Sequence, residues 1–152
     1  MQNLAILFFY YLLILLSILG YGYFFLNIIA KKLVNNNFGY AGLFGLYILL
    51  IYSYFSNLFI AHSELHNLLI ILLGVLLFYT KILKNYLMNK KEIFLVLIVF
   101  FLMSASILVH KNHDDFPYYH FPYTYYLTQQ SFYFGIGQFN HGFRTPSSIF
   151  YL

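Results

Sequence analysis

The chain has no cysteine and no tryptophan, only three prolines, and few charges: 8% of its 152 residues. Without cysteine there is no disulfide framework, no thiol nucleophile and no Cys-ligated metal. The shortage of charge excludes more, because an ordinary globular protein is about 25% charged. Residues 1–30 carry no charged side chain at all. No P-loop, serine-nucleophile motif or nucleotide fingerprint occurs. No basic face of the kind that nucleic acid requires is present, so the net charge of +4 points to no nucleic-acid partner.

What is abundant is apolar surface. Hydrophobic residues make up 62% of the chain, more than a soluble domain of this size can hide from water, and a bilayer resolves the conflict. A spanning helix needs roughly 18 or more apolar residues. The pattern predicts an all-α membrane protein with four transmembrane helices at about 4–29, 40–60, 68–83 and 93–109, followed by short interfacial helices in an external loop. The first run lacks a basic leader and a small-residue cleavage site and is too long for a signal peptide, so it reads as a retained helix. Gly20 and Gly22 offer a close helix approach or are merely tolerated in lipid; Gly42 and Gly45 share a helix face without making a GxxxG motif.

Orientation follows from the lysines. Six of the eight Lys and Arg residues, Lys31, Lys32, Lys81, Lys84, Lys90 and Lys91, lie in two short gaps between apolar runs. Lysine-rich short loops stay cytoplasmic. This places the N-terminus, the linker 62–67 and everything after position 110 on the outer side of the membrane. No charge lies deep in a span, which counts against a pump or channel. The remaining tyrosines of the spans, such as Tyr10, Tyr11, Tyr47 and Tyr79, read as interface anchors or packing.

Residues 110–146 differ in character. This segment is dense in Tyr and Phe yet holds Asp114, Asp115, the only Arg and four of the six His. Aromatic-rich amphipathic sequence suits the membrane surface. Asp115 is placed to cap a short helix with Pro117 in its first turn, Pro122 to interrupt it, and Gly135 and Gly137 to form a turn. Residues 147–152 turn apolar again and read as the start of a further span, which would make the chain the N-terminal part of a longer protein.

Chemistry concentrates at Asp114 and Asp115. Adjacent carboxylates bind a divalent cation, or one of them acts as a general base, or the pair is only a helix cap in a solvated acidic loop. His110, His113 and Asp114 with His120 form a candidate zinc or manganese set. His62-x-Glu64-x-His66 places two histidines four apart, as metal pairs require, but in a short loop and outside the HExxH pattern, where an interfacial polar turn is the simpler reading.

The pattern Asp114-Asp115-x-x-Tyr118-Tyr119 after a span resembles the acidic motif of GT-C type polytopic glycosyltransferases, which take sugars from lipid-linked donors. The run Gly135-x-Gly137-x-x-Asn140-His141-x-x-Arg144-x-x-Ser147-Ser148 is similar to a second segment in an uncharacterised bacterial subgroup of such proteins. The resemblance covers residues 110–152, and residues 1–109 match only as generic hydrophobic helices. It departs where many family members have Asp-Glu for Asp114-Asp115, and at Pro146. It implies an enzyme of cell-envelope polysaccharide or lipopolysaccharide assembly. Asp114 or Asp115 would be catalytic, with Tyr119, His120, Asn140, His141 and Arg144 lining the donor or acceptor site. The implied partners are membrane lipids, a polyprenyl-phosphate sugar donor and a glycan acceptor; the cofactor stays open, a divalent cation being one that the paired carboxylates could hold. The alternatives are a non-enzymatic membrane scaffold and a piece of a polysaccharide transporter or polymerase.

Overall fold

The computed structural model describes residues 2–30, 37–85, 90–108, 114–144 and 151, with their side chains except at 2, 3, 81–85, 90, 92, 93 and 107. The side chains of Lys31, Lys32, Lys81, Lys84 and Lys90, both His110 and His113, and the further span expected from 147 therefore lie outside the described set.

Among the described residues the regular elements are all helical. Each hydrophobic run forms one helix: α1 (Gln2–Ile29), α2 (Phe38–Asn57), α3 (Glu64–Asn85) and α4 (Lys90–Leu108). The starts of α2 and α3 are set by polar caps. Asn37 Oδ1 accepts from the backbone N–H of Gly39 at 2.9 Å and of Tyr40 at 3.3 Å, so α2 begins two residues before the expected 40. Ser63 does the same for α3. Its Oγ accepts from His66 N–H at 3.4 Å, and Glu64 stands in the first turn, where a negative charge is favoured. Residues 64–67, expected as linker, thereby become helix.

Two of these helices, over Leu4–Ile29 and Phe38–Asn57, are long and apolar enough to cross a membrane; the apolar parts of α3 (Glu64–Thr80) and α4 (Phe94–Ser106) are shorter. Four full-length spans were expected; among the described residues two helices have that length and apolarity. Glu64, His66 and Asn67 occupy the first turn of α3, and Lys90, Lys91 and Glu92 that of α4. Only 22% of the most apolar stretch of α1 and 11% of that of α2 is buried within the chain. The core helix of a water-soluble fold is mostly buried, and these are not. Leu43, Phe101 and Leu102 are among many large apolar side chains left exposed.

The chain divides into two compact units, one of Met1–Leu46 and Ile70–Lys111, the other of Tyr47–Leu69 and Asn112–Leu152. In the first, Leu19, Tyr23, Leu26, Ala41 and Phe78 form the core. Backbone approaches backbone around it. A Cβ on Gly22 would lie 2.6 Å from the Ala41 carbonyl carbon, one on Gly45 2.9 Å from that of Ile18, and one on Gly20 2.8 Å from Phe78 N. Gly74 is equally closed, 2.8 Å from Ser17 Cα. Close approach is what Gly20, Gly22 and Gly45 provide, whereas Gly42 does not share it, its nearest neighbour being Leu19 Cδ2 at 3.9 Å. Tyr21 OH donates to the Ile70 carbonyl at 2.8 Å, and Tyr11 stacks on Phe100 with centroids 5.0 Å apart. The second unit is centred on Tyr123, Leu127 and Tyr151.

The contrast between the glycines is testable. Gly42→Ala gains helix propensity worth about 1 kcal/mol with nothing in the way, and should leave stability equal or raised. Gly45→Ala drives a methyl into the α1 backbone and should lose about 1–3 kcal/mol, the usual result of overpacking. Thermal unfolding of both variants in one detergent compares them; equal effects would contradict the close-approach account.

Candidate functional site

The expected site residues lie in the second unit, and two prolines shape their surroundings. After the turn at Asp114 and Asp115 comes a single π-helical turn, Phe116–His120, which passes directly into α5 (Phe121–Gln129). Pro117 sits in the first turn of one and Pro122 in the first turn of the other, where a missing N–H costs nothing. Pro122 therefore does not break the segment as expected; it marks where one helix passes into the next. It also has no N–H to return to the Tyr118 carbonyl four residues back. That oxygen accepts instead from Asn140 Nδ2 at 3.0 Å.

Asn140 thus ties the far end of the segment to the acidic turn. Its Oδ1 accepts from Gly142 N–H at 2.9 Å, capping the short 3₁₀ turn His141–Phe143. Gly142 lies flat on the Tyr119 ring, where a Cβ would come within 2.6 Å of Tyr119 Cβ, so no larger residue fits. Tyr119 OH in turn donates to Asp115 Oδ2 at 3.1 Å. That bond to the carboxylate is the main reason the Tyr119 hydroxyl holds its proton to higher pH than a free tyrosine. Asp115 was expected to cap through its side chain; no such bond to the helix backbone forms, and the carboxylate engages Tyr119.

Asp115, Tyr119 and Asn140 are therefore gathered into one knot, with the His120 ring against Tyr119 at a centroid distance of 4.2 Å. Asp114 and His141 are exposed beside it in sequence. Arg144 is also exposed and is held elsewhere: its Nε donates to the Gly137 carbonyl at 3.3 Å, and a Cβ on Gly137 would press on Arg144 Cγ at 3.0 Å. Gly135, at φ 89°, makes the expected turn before it. Among the described residues no group of three His, Asp or Glu is gathered for a metal ion. Of the set His110, His113, Asp114 and His120, the first two lie outside the described residues.

A second polar cluster forms at the 62–67 linker, where the sequence suggested a polar turn; the part the sequence reading missed is the hydroxyls of Tyr52 and Ser56. His62 and His66 do stand together, their rings stacked at 4.8 Å, but each Nε2 is occupied by a hydroxyl, Ser56 Oγ at 2.8 Å and Tyr52 OH at 2.9 Å. Asn67 Nδ2 donates to the His62 carbonyl at 3.0 Å. This is a polar turn and not a metal pair. It also anchors the aromatic segment by two backbone bonds, His62 N–H to the Leu127 carbonyl at 2.8 Å and Phe132 N–H to the Asn57 carbonyl at 2.7 Å. Tyr54 stacks on Tyr151 at 4.3 Å, and the Tyr151 and Tyr123 hydroxyls bond at 2.6 Å. The usable signal was the four-residue spacing of Tyr52 and Ser56, which puts both hydroxyls on one face of α2.

Compared with known protein families, curated proteins and solved structures, the chain shows no match.

Burial, and next the neighbouring His66, lower the pKa of His62 from its ordinary 6.5. The unfolded chain therefore takes up this proton more readily than the folded one. The contribution of His62 is complete above about pH 6.5 and is lost as pH falls through its lowered folded value. The melting temperature in detergent should drop between pH 7 and pH 5, and His62→Asn should flatten that slope. An unchanged slope in the variant would place the titration elsewhere.

Proposed function

We propose that this chain is a multi-pass protein of a bacterial plasma membrane and forms part of an envelope glycosyltransferase that takes its sugar from a polyprenyl-phosphate carrier. In this reading all four long helices cross the bilayer, α3 and α4 with polar ends at the interfaces. The lysine-bearing loops face the cytoplasm, and the N-terminus and the aromatic segment face outward. The observation that carries the reading is the knot of Asp115, Tyr119 and Asn140. Two motif halves more than twenty residues apart meet there through Asn140 Nδ2 and the Tyr118 carbonyl.

The roles follow from the environments. Asp115 is held by Tyr119, so the exposed Asp114 is the better general base. It takes the proton of the acceptor hydroxyl as that oxygen attacks the anomeric carbon and the bond to the carrier phosphate breaks. Tyr119 and Asn140 keep the turn in shape, and Arg144 receives the phosphate that leaves, since guanidinium pairs bidentately with its oxygens. His120 and His141 flank the same turn and would contact the sugar.

A second reading has its own observation. Phe134 is 86% exposed and Phe139 79%, as befits a non-enzymatic scaffold whose aromatic segment rests on lipid or on another protein. Substitution separates the two. With membrane levels unchanged, Asp114→Asn should cut sugar transfer from a polyprenyl-phosphate donor by about 10²–10⁴-fold, the range for loss of a general base. Transfer that is unchanged in Asp114→Asn and in Asp115→Asn would leave the scaffold reading standing.

A further inference from the structure

The turn between α2 and α3 holds two histidines that the proposed chemistry does not use, and their bonds show how they are protonated. Asn67 Nδ2 donates to the His62 carbonyl at 3.0 Å, so its Oδ1 is the atom that faces His66 Nδ1, also at 3.0 Å. An amide oxygen only accepts, so Nδ1 carries a proton. In the neutral ring Nε2 then has a lone pair, and it accepts from Tyr52 OH at 2.9 Å. His62 lies flat against this ring, 9° from parallel with centroids 4.8 Å apart, and is only 5% exposed. That arrangement suits a neutral pair. A proton on each ring would set like charges face to face, one of them shut off from water, where repulsion is strong.

The surroundings do nothing to offset such a charge. α2 gives His62 the Ser56 hydroxyl, α3 gives it the His66 ring, and the aromatic segment meets it through the Leu127 carbonyl. Among the described residues no carboxylate bonds to either ring; Glu64, between them in sequence, is exposed.

The same turn is where the aromatic segment is fastened, by His62 N–H to the Leu127 carbonyl and Phe132 N–H to the Asn57 carbonyl. The Asn57 side chain is 1% exposed, and neither polar atom of its amide has a partner. A buried amide without a partner disfavours the closed arrangement, and water would relieve it. The attachment is thus two backbone bonds closed beside an unsatisfied amide and a histidine pair that has to stay neutral.

We propose that this histidine pair is a proton-operated latch: neutral, it keeps the aromatic segment fastened to the α2–α3 turn at Leu127 and Phe132, and protonated it releases the segment. Release lets water reach both rings and the Asn57 amide, while α5 keeps its own helical bonds. Burial and His66 lower the pKa of His62, so falling pH favours the state in which that ring is solvated. The chain then opens at one place before it unfolds. The released stretch is continuous with the turn at Asp114 and Asp115, so the presentation of that turn becomes pH-dependent. The latch rests on neither the sugar-transfer reading nor the direction in which the chain crosses a membrane.

Hydrogen exchange of the full chain in detergent, read residue by residue and corrected for the intrinsic rate at each pH, tests the latch. At pH 7 the amides of His62 and Phe132 should be protected. At pH 5 both should lose that protection and exchange close to the rate of an unstructured peptide, while the amides of Tyr125 and Leu127 inside α5 stay protected. His62→Asn keeps the backbone N–H and does not titrate, so both amides should stay protected at pH 5. His66→Gln removes the opposing charge and should preserve part of the protection. If His62→Asn is unprotected already at pH 7, His66→Gln decides alone, since its position is half-buried and tolerates the change. Protection of both amides in the wild type at pH 5 would overturn the latch. So would a loss that spreads equally through α5, or a full loss at pH 5 in the folded variants.

Discussion

Close approach of one backbone to another along α1 is the constraint on which the first unit depends. Lipid tails are as apolar as leucine, so helices in a bilayer gain little by burying leucine against leucine; they gain by packing tightly. Gly22 against Ala41, Gly45 against Ile18 and Gly20 against Gly74 bring α2 and α3 onto α1 with no side chain between them. Only at that spacing does Tyr21 OH reach the Ile70 carbonyl, and only then do Leu19, Tyr23 and Phe78 meet as a core. Where the glycine contact is absent, at Gly42, space opens.

The second unit is held by a different device. Its apolar centre is small, three buried residues among those described, and polar groups do the joining. Tyrosine serves this end well because its ring packs while its hydroxyl bonds. Tyr123 and Tyr151 bond to each other, Tyr119 to Asp115, Tyr52 to His66 and Tyr126 to the Ser131 carbonyl. Part of the wealth of tyrosine in this chain is thus structural. The same economy appears at Pro122, where the missing N–H frees the carbonyl that Asn140 uses.

Much of the helical layout was legible from hydrophobicity alone, because long apolar runs without proline or charge read as helices. The ends were less legible. Asn37 and Ser63 lengthen α2 and α3 because side-chain caps compete with the turn propensity of the same residues. Pro122 looked like a breaker, since a proline is disruptive only when an N–H is needed, and whether it is needed depends on where the preceding turn ends. In the candidate site, the sequence pattern pointed to Asp115, Tyr119 and Asn140, which the fold brings together. It also pointed to Arg144, which Gly137 holds. The pairing of Ser56 with His62 and of Leu127 with His62 was not legible, because the latter contact joins residues 65 positions apart through backbone atoms that carry no sequence signal.

The central claim is that the lysine-bearing loops and the aromatic segment lie on opposite sides of a membrane. The absence of native cysteine makes the direct measurement clean. Single cysteines replacing Asn35, Asn89 and Gln130 would be exposed, one variant at a time, to a membrane-impermeant maleimide in spheroplasts before and after lysis. The account predicts labelling of Gln130→Cys in intact spheroplasts, and of Asn35→Cys and Asn89→Cys only after lysis. Equal labelling of all three before lysis, or the reverse pattern, would contradict it.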